Sequence, residues 1–185
     1  MRKVFIVLIT SITMHHEILG ELFQWLKIQL QSESVLGDHT YLLCRSEDIK
    51  INDNTFFGTG WLIFSGNGMI KEFYLHAAES IVIAEGCILA TDITAKEEPL
   101  STNYVSLLKV SGPGTIFVHG KDFVEFYIEE LESIQVRTPC ITALDSTITY
   151  DLDRSFSKLT GPGAVLLKRV APEAAEQPAS IFDQL

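Results

Sequence analysis

The chain's 185 residues are 46% hydrophobic and 21% charged, enough for one substantial core and without a low-complexity body. A net charge of −10, with no basic spot denser than Lys168-Arg169, makes nucleic acid an unexpected partner, because phosphate binding needs a basic surface. Cys44, Cys87 and Cys140 include no Cys-x-x-Cys pair, are odd in number and lie in apolar runs. They read as free, buried thiols in a reducing compartment, which predicts a cytoplasmic protein.

Met1-Arg2-Lys3 and the apolar run 4–9 resemble the start of a signal peptide. Thr10-Ser11 interrupts the run, no small-x-small cleavage site follows, and the segment is too short to span a bilayer. Residues 1–16 are therefore expected to form an N-terminal strand or arm kept in the mature chain, with membrane association as the disfavoured alternative. From Ile18 to Leu30 two periods compete. Ile18, Leu22, Trp25 and Leu26 suit a helix face, whereas Leu26, Ile28 and Leu30 alternate with Lys27 and Gln29. The strand reading wins because this run leads into Glu33-Ser34-Val35 as Phe73-Tyr74-Leu75 leads into Glu79-Ser80-Ile81.

That correspondence belongs to a longer register. Phe73-Tyr74, Glu79-Ser80-Ile81, Cys87-Ile88, Ala90 and Asp92 recur in order as Phe126-Tyr127, Glu132-Ser133-Ile134, Cys140-Ile141, Ala143 and Asp145 (126 − 73 = 53). A fainter copy lies upstream, with Glu33-Ser34-Val35 before Leu42-Leu43 (79 − 33 = 46). A fixed period implies one supersecondary unit used about three times, each burying its apolar face on its neighbours. Between turns the period is two, as where Ile134 and Val136 alternate with Ser133 and Gln135, which is the pattern of half-buried strands.

Three glycine-rich segments punctuate these units at Gly66 and Gly68, at Gly112-Pro113-Gly114, and at Gly161-Pro162-Gly163. Apolar or β-branched runs flank each one, so they are expected to be tight structural turns of hairpins. A phosphate-cradling loop would need a helix behind it, and a strand-like run follows instead. Asp92 and Asp145 end such runs, where their carboxylates can cap turns. Residues 171–185, with Pro172 and Pro178 among alanines and glutamates, read as a flexible C-terminal tail.

No catalytic constellation emerges. His15, His16, His39, His76 and His119 form no His-x-His pair; His76-Ala77-Ala78-Glu79 has the nearest ligand spacing and falls in an expected turn. His-Glu-x-x-His, Gly-x-Ser-x-Gly and the phosphate-loop signature are absent. Glu129, Glu130 and Glu132 read as a solvated run rather than an acid–base pair. No catalytic, cofactor-binding or metal-ligating residue is assigned, and no cofactor is expected.

Three stretches resemble a known family: Phe23-Gln24-Trp25-Leu26-Lys27-Ile28-Gln29-Leu30 before Glu33-Ser34-Val35, the run Gly58 to Gly68, and Thr160-Gly161-Pro162-Gly163 before Ala164-Val165-Leu166-Leu167. Over roughly residues 17–170 the chain resembles the mitochondrial-biogenesis family named for altered inheritance of mitochondria. The resemblance implies a β-sandwich or double-stranded β-helix similar to the tryptophan RNA-binding attenuation protein, often self-associating. It implies no catalytic residues. Shorter passages around Pro99-Leu100-Ser101 and Arg154-Ser155-Phe156 depart from the family's pattern.

The expectation is an all-β, antiparallel sandwich or double-stranded β-helix-like body over 17–170, built from about three pseudo-repeats. Its expected role is that of a non-enzymatic scaffold or interaction protein that forms a homo-oligomer. The alternatives are RNA binding like that of the attenuation protein, and a small-ligand or metal-binding β-barrel.

Overall fold

The structure is a computed structural model that describes residues 14–170. The expected arm lies outside the described residues up to residue 13, and the expected tail lies wholly outside them. Apart from three 3-10 turns, every regular element is a β-strand. The chain begins with β1 (His15–Leu19) and β2 (Trp25–Gly37). A 3-10 turn at His39–Tyr41 leads to β3 (Leu42–Arg45), β4 (Lys50–Asn52), β5 (Thr55–Ser65), β6 (Met69–Leu75) and β7 (Ser80–Ala84). A second at Glu85–Cys87 leads to β8 (Ile88–Asp92), β9 (Lys96–Leu100), β10 (Leu107–Ser111), β11 (Gly114–Gly120), β12 (Phe123–Ile128) and β13 (Ser133–Arg137). A third at Thr138–Cys140 leads to β14 (Ile141–Asp145), β15 (Thr149–Asp151), β16 (Phe156–Thr160) and β17 (Gly163–Lys168).

The paired strands are antiparallel. An eight-stranded sheet runs β3-β5-β2-β8-β11-β6, with β1 added to β2 and β4 to β5. A six-stranded sheet runs β12-β17-β14-β7-β10-β9, and a three-stranded sheet runs β13-β16-β15. The protein is thus all-β, with strands over the region where helical and strand periods compete. That region is two strands and not one: Gly20, at φ 91, opens the bend that folds β1 back onto β2.

Side-chain alternation explains the layering. In β2, Leu26, Ile28 and Leu30 are buried while Lys27 and Gln29 between them are half-buried, so one face meets a core. In β7 both faces do: Ile81 and Ile83 join one cluster, Val82 and Ala84 another. All of β11 is buried, with Phe117 in one cluster and Ile116 and Val118 in the next. A strand covered on both sides reads as a continuous apolar run. Each large side chain so buried contributes about 1.5–3 kcal/mol.

The first cluster lies within the folded eight-stranded sheet, whose strands supply Leu26, Phe56, Phe64, Leu89 and Phe117. Its fold follows from a register shift between Gln31 and Glu33, where Ser32 has φ 64, opposite Thr59 and Gly58, the latter at φ 130. An extra residue in one strand bends it, so β2 and β5 serve two halves of one sheet. The middle cluster joins the eight- and six-stranded sheets through Leu75, Ile83, Ile116 and Leu166. The last joins the six- and three-stranded sheets through Val82, Val136, Leu144 and Leu159.

The glycine-rich turns differ from the hairpins expected. Gly112-Pro113 connects β10 in the six-stranded sheet to β11 in the eight-stranded one, and Gly161-Pro162 connects β16 in the three-stranded sheet to β17 in the six-stranded one. Gly66 and Gly68 connect β5 and β6, which do not pair with each other. Flanking strands therefore separate at each turn. Both Gly-Pro segments pass close under other backbone, for a Cβ on Gly112 would fall on the His76 carbonyl oxygen and one on Gly161 on the carbonyls of Ile128 and Glu129. They are crossings between layers, and local sequence signals a reversal without naming the strand's partner.

Candidate functional site

The three strands that follow the 3-10 turns have different surroundings. β8 pairs with β2 on one side and β11 on the other, and β14 with β7 and β17. Among the described residues β3 pairs only with β5. Each of the three carries a register irregularity at its second residue, which is Leu43, Leu89 or Thr142. Leu89 and Thr142 have 0% exposure, and Leu43 has 57%. At the next position Ala90 and Ala143 are buried, whereas Cys44 is exposed. The expectation of a buried Cys44 is thus corrected: the run is strand, but no strand among the described residues lies over its outer edge. Cys87 is buried and Cys140 half-buried, each closing a 3-10 turn.

The strands that precede the turns show the converse. β2 pairs with β5 and β8, and β7 with β10 and β14; β13 pairs with β16 alone among the described residues. The three-stranded sheet also leaves Phe156 exposed. Among the described residues β3 and β13 are thus edge strands, as β6, β9, β12 and β15 also are. Backbone N–H and C=O groups on such an edge are a template for another strand. Beside β3, the sheet's outer face carries Trp25 and Trp61, both exposed, along with the Lys27–Glu17 ion pair at 3.3 Å.

A hollow of about 370 Å³ lies between layers, lined by Asn67, His119, Lys121, Pro139, Lys168 and Arg169 among others. His119 is buried, and burial, with the positive charge of Lys168 next, pushes its pKa down from 6.5 to about 4; Asp38 opposes them. Its Nδ1 accepts the Asn67 backbone N–H at 2.9 Å, while Lys168 Nζ donates to Cys87 Sγ at 2.9 Å. Lys121 and Lys168 thus line the hollow with a neutral imidazole on an acidic protein, while Arg169 at its rim is paired with Asp122 at 3.3 Å. Composition could not signal this, because Lys121, Lys168 and Cys87 are far apart in sequence.

The other residues considered for chemistry have separate local roles. His16 bonds the Met14 carbonyl and Glu72, His39 contacts Asn54, and His76 sits edge-on to Tyr74. Asp92 accepts from both the N–H and the hydroxyl of Thr94, and Asp145 from the N–H of Ala164. Glu132 caps its own turn by accepting from Glu129 N. Among the described residues no three His, Cys, Asp or Glu side chains group as metal ligands, and no helix is long and apolar enough to cross a membrane.

No family model matches the chain, and no curated protein does either. A search of solved structures finds the fold: the chain is similar to the protein SPYM3_0169 of Streptococcus pyogenes, known from an X-ray crystal structure, with a TM-score of 0.74. The match covers 85% of this chain and 94% of that one at 13% identity. At that identity the likeness establishes a shared all-β architecture and carries no activity.

Proposed function

We propose that this protein is a non-enzymatic scaffold or interaction protein, built from three successive β units and working as a homo-oligomer. In this reading a unit is a strand, a 3-10 turn and the strands that follow, and neighbouring units cover one another's edges. The observation that carries it is the contrast between β3 and its counterparts β8 and β14. The same position is buried at Leu89, where β2 pairs with β8, and exposed at Leu43, where among the described residues no second strand pairs with β3. Exposed edges of this kind are normally blocked or paired. Native mass spectrometry across a dilution series tests the reading. A defined multiple of 20.6 kDa is expected, and a monomer at every concentration, with no bound partner, overturns it.

One observation favours a second reading, that of a small-ligand protein. Lys121 and Lys168 line the hollow beside His119, with Arg169 held by Asp122 at its rim, although the chain's net charge is −10. Cations gathered against the overall charge attract a small anion. Titration with inorganic phosphate and with citrate tests it by thermal shift, and a response lost in Lys168→Gln supports a site there.

A further inference from the structure

We infer that β3 of one copy pairs antiparallel with β13 of the next, head to tail, in a register already written inside the chain. The inference rests on the scaffold reading above and specifies its interface. Two internal junctions supply the template. In one, Val35, Leu36 and Gly37 of β2 lie opposite Asp92, Thr91 and Ala90 of β8. In the other, Ile81, Val82 and Ile83 of β7 lie opposite Asp145, Leu144 and Ala143 of β14. Both join the strand before one 3-10 turn to the strand after the next. The strand before the third turn is β13, whose outer edge has no strand among the described residues, and the strand after the first is β3, in the same condition.

Carrying the register forward places Ile134 where Ile81 stands (134 − 81 = 53). Carrying it back places Ser46 where Asp92 stands (92 − 46 = 46). The inferred contacts are Ile134 with Ser46, Gln135 with Arg45, and Val136 with Cys44. The joined sheet would run β15-β16-β13-β3-β5-β2-β1. That repeats the order β9-β10-β7-β14-β17-β12 of the six-stranded sheet, with β1 added at the far edge.

The second copy is the favoured occupant because the two edges are complementary by descent through the chain and not merely both open. In the internal junctions the residues corresponding to Cys44 are Ala90 and Ala143, small and buried. Cys44 is of the same size class, and Leu43 repeats Leu89, which next to such a junction has 0% exposure. The contact is heterologous, since β3 meets β13 and not another β3. Copies so joined close into a ring or extend as a filament.

The test is disulfide trapping. Directly opposed residues on antiparallel strands lie about 4.5–5.5 Å apart at Cα, within the roughly 4.4–6.8 Å that a disulfide spans. The thiol introduced by Val136→Cys faces native Cys44 in the inferred register. Diamide takes two electrons and two protons from the pair, and the S–S bond forms. Expected is a non-reducing ladder of dimer, trimer and higher species, or one closed band, absent in wild type and absent when Cys44→Ser is added. Leu43→Lys, on a side chain exposed in the isolated chain, is expected to leave the circular dichroism unchanged while raising the assembly midpoint roughly tenfold or more, since the interface would bury a charge.

Native mass spectrometry on the same samples separates the possible failures. Assembled protein without the cross-link, or one cross-linked only to dimers through Cys44 in wild type, overturns the head-to-tail junction and leaves the scaffold reading standing. An unassembled protein overturns both. Unchanged assembly of Leu43→Lys also overturns the junction.

Discussion

The backbone N–H of Asn67 donates to Nδ1 of His119 across 2.9 Å, tying the turn between β5 and β6 to β11, the strand that pairs with β6. An N–H donor fixes the tautomer, so the imidazole's own proton sits on Nε2, an atom buried without a partner among the described residues. Adding a second proton would put a cation in this place beside Lys168, which is why the pKa falls from 6.5 to about 4.

The pH dependence has a definite sign. Unfolding returns His119 to 6.5, so between about 6.5 and 4 the unfolded chain binds a proton that the folded chain does not. Its neutral state contributes fully above 6.5, and that contribution drains away as pH falls toward about 4. The total for this group is on the order of 3 kcal/mol. Urea unfolding at pH 7 and at pH 4.5 should show a larger loss of stability in wild type than in His119→Gln, which keeps an acceptor for Asn67. Equal losses in the two proteins would rule this account out.

Glu79 and Glu132 predict a matched pair of effects. Each carboxylate accepts the backbone N–H three residues earlier, His76 N at 2.8 Å and Glu129 N at 3.0 Å. Each closes the bend into the strand that precedes a 3-10 turn. Replacement by alanine removes a charge-assisted bond at an exposed turn, so about 1 kcal/mol should be lost at each site. The turns share no partner, and the double variant should lose the sum. Denaturant midpoints of the single and double variants check both statements.

These two glutamates also mark how far the sequence could be read. They stand in the 53-residue register, and acidic turn residues beside Phe-Tyr strands were legible because the strand period and turn chemistry act within a few residues. The strand at Leu26, Ile28 and Leu30 was legible through the repeat, since local periodicity left helix and strand competing there. What local chemistry could not reveal was partnership. Gly112-Pro113 looks like a hairpin turn because glycine and proline report the backbone angles, while the destination of β11 depends on β6 and β8, distant in sequence. Cys44 looks buried because it sits in an apolar strand, while burial depends on a second strand beside β3, and among the described residues β3 pairs only with β5. The cationic hollow was invisible for a similar reason, since Cys87, His119 and Lys168 meet only through layering.

Three glycines separate the demands of crossing from those of turning. A Cβ on Gly112 or Gly161 would overlap backbone carbonyl oxygens, which cannot swing aside as a side chain would, whereas a Cβ on Gly86 meets nothing within 4 Å. Gly112→Ala and Gly161→Ala should each cost about 2 kcal/mol or more through forced backbone shifts. Gly86→Ala should be neutral or stabilising by up to about 1 kcal/mol, because alanine restricts the unfolded chain. Thermal or urea unfolding of the three variants measures the contrast. Similar losses at all three would mean that the layer crossings tolerate more displacement than their contacts imply.

The three thiols offer a readout that needs no substitution. Cys44 is exposed on β3, Cys140 is half-buried, and Cys87 is fully buried with Lys168 Nζ at 2.9 Å from its sulfur. Reaction with a thiol reagent requires access, so a dilute native sample should show one fast thiol, mapped to Cys44 by peptide mass, with Cys140 slower and Cys87 silent until unfolding. Pairing of β3 with another strand would cover Cys44 as β2 covers Ala90 and β7 covers Ala143. The fast phase should therefore shrink as protein concentration rises, while the slower Cys140 phase keeps its rate. A Cys44 rate independent of concentration, in protein that mass measurements show to be assembled, would place the contact between copies elsewhere than on β3.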